Sequence, residues 1–205
     1  YMTKDDTSGN SSFQRWDACG VKGPVPSPGN KYINEEYKIR VPNATSATFG
    51  GDSLQLGDAA KNKSATLALS YNGNVSVSFP NDGLILSQGT IQPWFNGGCK
   101  TYTFTGTFDV RSPDTNPFKI YVGDNASHLG MTNVFKDVVF KGDAGTAVTI
   151  WNTVDNPDGA CTWENQFPWK DFRNIDVELT EHFHHTVQMN RPLRGIRLHL
   201  ARPGG

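Results

Sequence analysis

Residues 84–91 of this chain read LILSQGTI, and residues 102–110 read YTFTGTFDV. Each stretch consists of a short β-prone segment, a glycine and a second short β-prone segment. Partial copies of the pattern stand at residues 53–57 (SLQLG) and 138–142 (VVFKG). A unit that recurs every ~20–30 residues is too small to enclose a hydrophobic core by itself, so its recurrence predicts that neighbouring copies stack on one another.

Stacked coils predict a single all-β domain in the form of a parallel β-helix. Successive strands would lie about 4.8 Å apart, and inward Leu, Ile, Val and Phe side chains would fill one continuous core. The alternative is a β-sandwich, whose strands would show a cleaner two-residue alternation of apolar and polar side chains. No stretch of the sequence carries the 3.6-residue apolar period of an amphipathic helix.

Short strands separated by turn-forming residues are expected along most of the chain. Gly and Asn favour such turns because they tolerate positive φ. Residues 71–74 (YNGN) and 80–83 (PNDG) are the strongest turn signals. The predicted strands are residues 37–41, 53–56, 66–70, 75–79, 84–86, 102–104, 107–110, 118–122, 134–140, 147–151 and 175–180.

Composition divides the chain into three predicted parts. Residues 1–30 form a polar, Pro- and Gly-rich N-terminal segment, residues 31–187 form the β-helix, and residues 188–205 form an Arg-rich tail that is either a capping segment or an appended sequence. The polar start resembles a linker more than a targeting segment.

Charge and cysteine content limit the partners that can be expected. The formal net charge is −1, which gives no reason to expect a nucleic-acid partner. No apolar run approaches the ~20 residues of a membrane span. Cys19, Cys99 and Cys161 fit no zinc spacing, and they allow either one disulfide in three alternative pairings or three buried thiols. The composition favours a secreted, extracellular protein.

Residues 47–56 (ATFGGDSLQL), taken with residues 84–91 and 102–110, resemble the coils of right-handed parallel β-helix domains in secreted bacterial proteins. They are also similar to the β-helical carbohydrate-binding modules attached to xylanases. The resemblance implies non-catalytic binding of a plant polysaccharide, xylan or a related β-linked hemicellulose, by a module that keeps an attached hydrolase on its substrate. No cofactor is expected, with Ca²⁺ as the one alternative.

Tryptophans in polar surroundings predict where such a polysaccharide binds. An aromatic ring packs against the C–H face of a sugar, while amides and carboxylates bond its hydroxyls. The two Trp six residues apart at 163–169 are interpreted as flanking a polar loop. The predicted carbohydrate-binding residues are Trp94, Asn96, Trp151, Asn152, Trp163 and Trp169.

Three alternatives to polysaccharide binding remain open. Gly51–Asp52–Ser53–Leu54 matches the motif of a serine esterase family, but no Asp-x-x-His follows near the C-terminus and no base is evident for Ser53. A β-helical polysaccharide lyase would use carboxylates and Ca²⁺, for which the oxygen-rich residues 155–159 are the candidate ligands. A structural adhesin or passenger segment shares the whole composition. The histidines at 182, 184 and 185 are expected to form no metal site.

Overall fold

The computed structural model describes residues 14–16, 26–42, 44–69, 74–93, 101–121, 132–143, 145–151, 160–164, 175–179 and 196–200. Within these ranges the chain is almost entirely β-strand, and its helical structure is limited to short 3-10 turns such as Ala59–Lys61. The strands are β1 Gln14–Arg15, β2 Lys31–Asn34, β3 Lys38–Arg40, β4 Ser46–Thr48, β5 Ser53–Leu56, β6 Ala65–Leu69, β7 Val75–Leu86, β8 Gly89–Pro93, β9 Thr101–Val110, β10 Phe118–Tyr121, β11 Thr132–Gly142, β12 Val148–Trp151, β13 Ala160–Glu164, β14 Ile175–Leu179 and β15 Ile196–Leu200.

All strand pairs between these elements are parallel, and they form two sheets that wind along one axis. The order of the eight-stranded sheet is β1-β3-β6-β8-β10-β12-β14-β15, and that of the seven-stranded sheet is β13-β11-β9-β7-β5-β2, with β4 also paired to β7. From β5 to β14 consecutive strands alternate between the sheets, so each circuit of the chain adds one coil. The protein is therefore a parallel β-helix, as the recurring sequence pattern predicted, and not a β-sandwich.

Strand register gives the length of a coil. In the eight-stranded sheet Ile39 lies beside Leu67, Leu67 beside Ile91, Ile91 beside Ile120 and Ile120 beside Ile150. Successive coils thus take about 24 to 30 residues, within the period expected of stacked repeats. These five side chains are at most 3% exposed and form one column of the core.

Register shifts divide the seven-stranded sheet into two limbs. The first limb pairs β4, the N-terminal halves of β7, β9 and β11, and β13, and the second pairs β2, β5 and the C-terminal halves of the long strands. The shift in β7 lies between Phe79 and Leu84, where the sequence PNDG predicts a turn. That prediction is wrong, because these residues form an irregularity inside a continuous strand.

Aromatic rings fill the core between the limbs and the eight-stranded sheet. Phe104 stacks on Phe135 with 5.3 Å between ring centroids, and Phe108 meets Phe140 edge to face at 5.2 Å. Trp16 extends the cluster through edge contacts with Phe49 and Phe79 at 5.5 and 5.7 Å. This segment lies N-terminal to residue 31, so the coil stack also takes in part of the sequence preceding the predicted β-helix segment.

Candidate functional site

The candidate site lies on the outward side of the eight-stranded sheet. In β10, Phe118 and Ile120 are fully buried, whereas Lys119 is exposed and Tyr121 is half-buried. Successive side chains of a strand point to opposite faces, so Lys119 and Tyr121 face outward. The same alternation holds in β3, where buried Ile39 separates two polar side chains.

Register arranges these outward positions in two columns that cross the coils. We call the two columns together the platform. The first column is Lys38, Thr66, Thr90, Lys119 and Thr149, and the second is Arg40, Ala68, Gln92, Tyr121 and, at its edge, Trp151. Neighbours in a column lie about 4.8 Å apart, and the columns are separated by two residues of strand, roughly 6.6 Å.

An aromatic and an amide occupy adjacent coils on the platform. Ile91 pairs with Ile120, so Gln92 and Tyr121, which follow them, share one column. Trp151 pairs with Tyr121 and therefore occupies the next position of that column, and Glu178 pairs with Trp151 one coil further on. Two aromatic residues thus stand at paired positions beside polar residues.

Two hydrogen bonds of Thr90 connect polar side chains in the middle of the platform, one within the first column and one between the columns. The hydroxyl of Thr90 lies 3.4 Å from that of Thr66 and 3.5 Å from the amide oxygen of Gln92. Both distances are long for O–H···O bonds, so these polar groups retain capacity for a further partner. The platform carries three cations, Lys38, Arg40 and Lys119, and no carboxylate among its described side chains.

The predicted binding residues do not all fall on this platform. Trp151 is at its edge, as described above. Trp163 lies on β13 of the other sheet, beside Phe135, where a polar loop was expected to begin. Trp94, Asn96, Asn152 and Trp169 lie outside the described residues. Tyr121 was not among the predicted residues, although the alternation in Phe118–Tyr121 (FKIY) indicates an outward aromatic residue.

Ser53 of the esterase-like motif occupies a strand, where it lies between Lys31 and Gly83 in register. It is 2% exposed. Leu54 and Leu56 point into the core, as predicted, and Gly50 and Gly51 sit at a tight corner where a Cβ would meet the Pro26 carbonyl oxygen or the Tyr32 ring within 2.6 Å. A nucleophile needs access to its substrate, and this serine has almost none.

Carboxylates and lysines form an ion-pair network that joins the segment between β2 and β3 to the segment between β5 and β6. Lys61 Nζ lies 2.5 Å from Glu35 Oε1 and 3.1 Å from Asp58 Oδ2, and Lys63 Nζ lies 3.0 Å from Glu36 Oε1. Hydrogen bonds from Lys61 lower the pKa of Glu35 and of Asp58. Hydrogen bonds to Glu35 and Asp58 raise the pKa of Lys61, and one to Glu36 raises the pKa of Lys63.

Metal ligands do not cluster in the part of the chain that the structure describes, where no three His, Cys, Asp or Glu residues could hold an ion together. Residues 155–159 and the histidines at 182, 184 and 185 lie outside that part. Among the same described residues, none belongs to a helix with the length and apolar character needed to span a membrane.

The fold is that of a parallel β-helix, and its candidate site is a lateral platform. Comparisons of the chain with protein-family models, with curated proteins and with solved structures give no match.

Proposed function

We propose that this chain is a non-catalytic carbohydrate-binding module that holds an extended plant polysaccharide against the platform. The ligand class is xylan or a related β-linked hemicellulose, and the module keeps an attached hydrolase on that substrate. The observation that carries the proposal is the pairing of Tyr121 with Trp151 on adjacent coils, in the column that also contains Gln92.

Sugar chemistry explains why this column suits a polysaccharide. A pyranose ring has an apolar C–H face that packs on aromatic rings, and a rim of hydroxyls that needs donors and acceptors. Tyr121 supplies a ring and a hydroxyl, while Gln92, Thr66 and Thr90 supply polar groups on the neighbouring coils. The lateral face extends over several coils, which matches a chain better than a single sugar; its accessible positions include Lys38, Lys119 and Tyr121, whereas Ala68 and Thr149 are 0% and 4% exposed.

The test is affinity electrophoresis of the full chain in gels containing soluble xylans, glucans, mannans and pectins. Retardation by xylan is expected. Tyr121→Ala and Trp151→Ala should each weaken binding by about 1–2 kcal/mol, the range of an interface hot spot, which is about tenfold in affinity.

Thr48→Ala, an exposed position on the seven-stranded sheet, is the matched control and should bind as the unmodified chain does. Melting temperatures of all variants show whether an affinity loss reflects unfolding. If no polysaccharide retards the unmodified chain, or if Thr48→Ala weakens binding as much as Tyr121→Ala, the proposal fails.

A further inference from the structure

A second outward surface, separate from the platform, consists of hydroxyl side chains. It lies on the first limb of the seven-stranded sheet and comprises six residues, which we call the hydroxyl face: Ser46, Thr48, Ser76, Ser78, Thr103 and Thr105. Its six members occupy every outward position of the paired segments in three consecutive strands. They are exposed or half-buried.

Register places the six hydroxyls on a rectangular lattice. Ser46 lies beside Ser76 and Ser76 beside Thr103, which makes one row across three coils. Thr48, Ser78 and Thr105 make a parallel second row. The lattice repeat is about 4.8 Å between strands and roughly 6.6 Å along a strand.

The lattice is held rigidly from beneath. The residues between the hydroxyls along each strand are Ala47, Val77 and Phe104, which are 6%, 0% and 0% exposed. Each anchors its strand in the core, so the outward positions keep their spacing. The threonines add stiffness, because a β-branched side chain has few χ1 rotamers.

The hydroxyls of this face are not engaged by the described part of the protein. Among the described residues, none of the six makes a side-chain hydrogen bond. The face also carries no charge within its three strands, and Lys136 on β11 marks its boundary on the next coil. An uncharged array of donors and acceptors with a fixed repeat in two dimensions suits a ligand that repeats in two dimensions.

We propose that the hydroxyl face binds the surface of ice. Crystalline water presents oxygen atoms in rows with repeats close to those of the lattice, so several hydroxyls can take lattice positions at once. Each hydroxyl both donates and accepts, as a water molecule does. A polysaccharide fits this face less well, since the described residues of the face include no aromatic ring to receive a sugar.

Ice-affinity capture tests the inference directly. Ice is grown slowly in a solution of the full chain, and the fraction of protein incorporated is measured together with the inhibition of ice recrystallisation. The unmodified chain should be captured. Thr103→Lys, which puts a long charged side chain at the end of one row, directly beside Ser76, should abolish capture.

Thr90→Lys is the matched control, since it makes the same change at a half-buried outward threonine of the platform. It should leave ice capture unchanged and reduce any xylan retardation, whereas Thr103→Lys should leave xylan retardation unchanged. Circular dichroism and the melting temperature verify that both variants fold. If Thr103→Lys does not fold, Ser76→Lys is measured in its place. The inference is overturned if ice does not capture the unmodified chain, or if both variants lose ice capture equally. It is also overturned if Thr103→Lys, and not Thr90→Lys, loses xylan retardation.

Discussion

Glycine at the coil corners is required by the backbone of the neighbouring coil. Gly106 has φ +112°, and a Cβ there would stand 2.0 Å from the carbonyl oxygen of Phe79, its register partner. Gly29 has φ +83°, yet nothing lies within 4 Å of its would-be Cβ. The two positions share a conformation that disfavours side chains but differ in the space around them.

Replacing these two glycines by alanine distinguishes the cost of backbone strain from the cost of a steric clash with the neighbouring coil. Gly29→Ala should cost about 1–2 kcal/mol, the strain of a side chain in a left-handed conformation. Gly106→Ala should cost clearly more, because the backbone of β7 or β9 must move as well. Urea unfolding measures the free energy of unfolding of both variants. Equal decreases would show that the neighbouring coil moves to accept the Cβ at Gly106 without a further loss of stability.

At the scale of elements, the ion-pair network ties the 3-10 turn Ala59–Lys61 to the preceding coil. The pKa of Glu35 and of Asp58 is lowered, so their contribution to stability is present above the ordinary carboxyl pKa and is lost as the pH falls through the lowered value. The pKa of Lys61 is raised, so its contribution is complete below the ordinary lysine pKa and is lost only as the pH rises through the raised value. Neutral pH therefore lies inside the window in which the network stabilises the fold.

Lys61→Met should lower the melting temperature slightly at neutral pH, because Lys61 is 53% exposed and solvent screens its ion pairs. The difference from the unmodified chain should shrink below about pH 4, where carboxylates take up protons, and in 1 M salt. Lys136→Met, at an exposed lysine that makes no ion pair with another described residue, is the control. A difference that does not change with pH would mean that Lys61 acts through the packing of its stem.

Sequence patterns located most strands because each strand has its own local signal. The predicted segments 37–41, 53–56, 84–86, 102–104 and 107–110 all overlap observed strands. The signal fails at residues 80–83, where Pro, Asn, Asp and Gly favour a turn, but the neighbouring strand β9 keeps the segment extended across a register shift. Tertiary pairing outweighs local turn propensity there.

At the scale of the whole molecule, the platform depends on register between residues that are far apart in sequence. Trp151 was predicted from its own aromatic and polar surroundings. Its pairing with Tyr121, 30 residues earlier, could not be predicted, because it requires the length of every intervening loop. The lattice of the hydroxyl face was missed for the same reason: Ser46, Ser76 and Thr103 become neighbours only when the coils stack.

The proposed mode of binding predicts how affinity depends on the length of the ligand. The column from Arg40 to Trp151 crosses five consecutive coils, which is about 19 Å at the spacing of neighbouring strands. A single sugar can contact one or two of these coils, whereas a longer oligosaccharide gains a contact with each further coil. Affinity for xylo-oligosaccharides should therefore rise with chain length and level off once the ligand spans the column.

Isothermal titration with oligosaccharides of increasing length measures this dependence. Tyr121→Ala should lower the affinity for oligosaccharides of every length, because short and long ligands alike pack on the aromatic pair of Tyr121 and Trp151. Affinity that is independent of length would place the ligand in a pocket for one sugar, contrary to a site formed by the repeated coils.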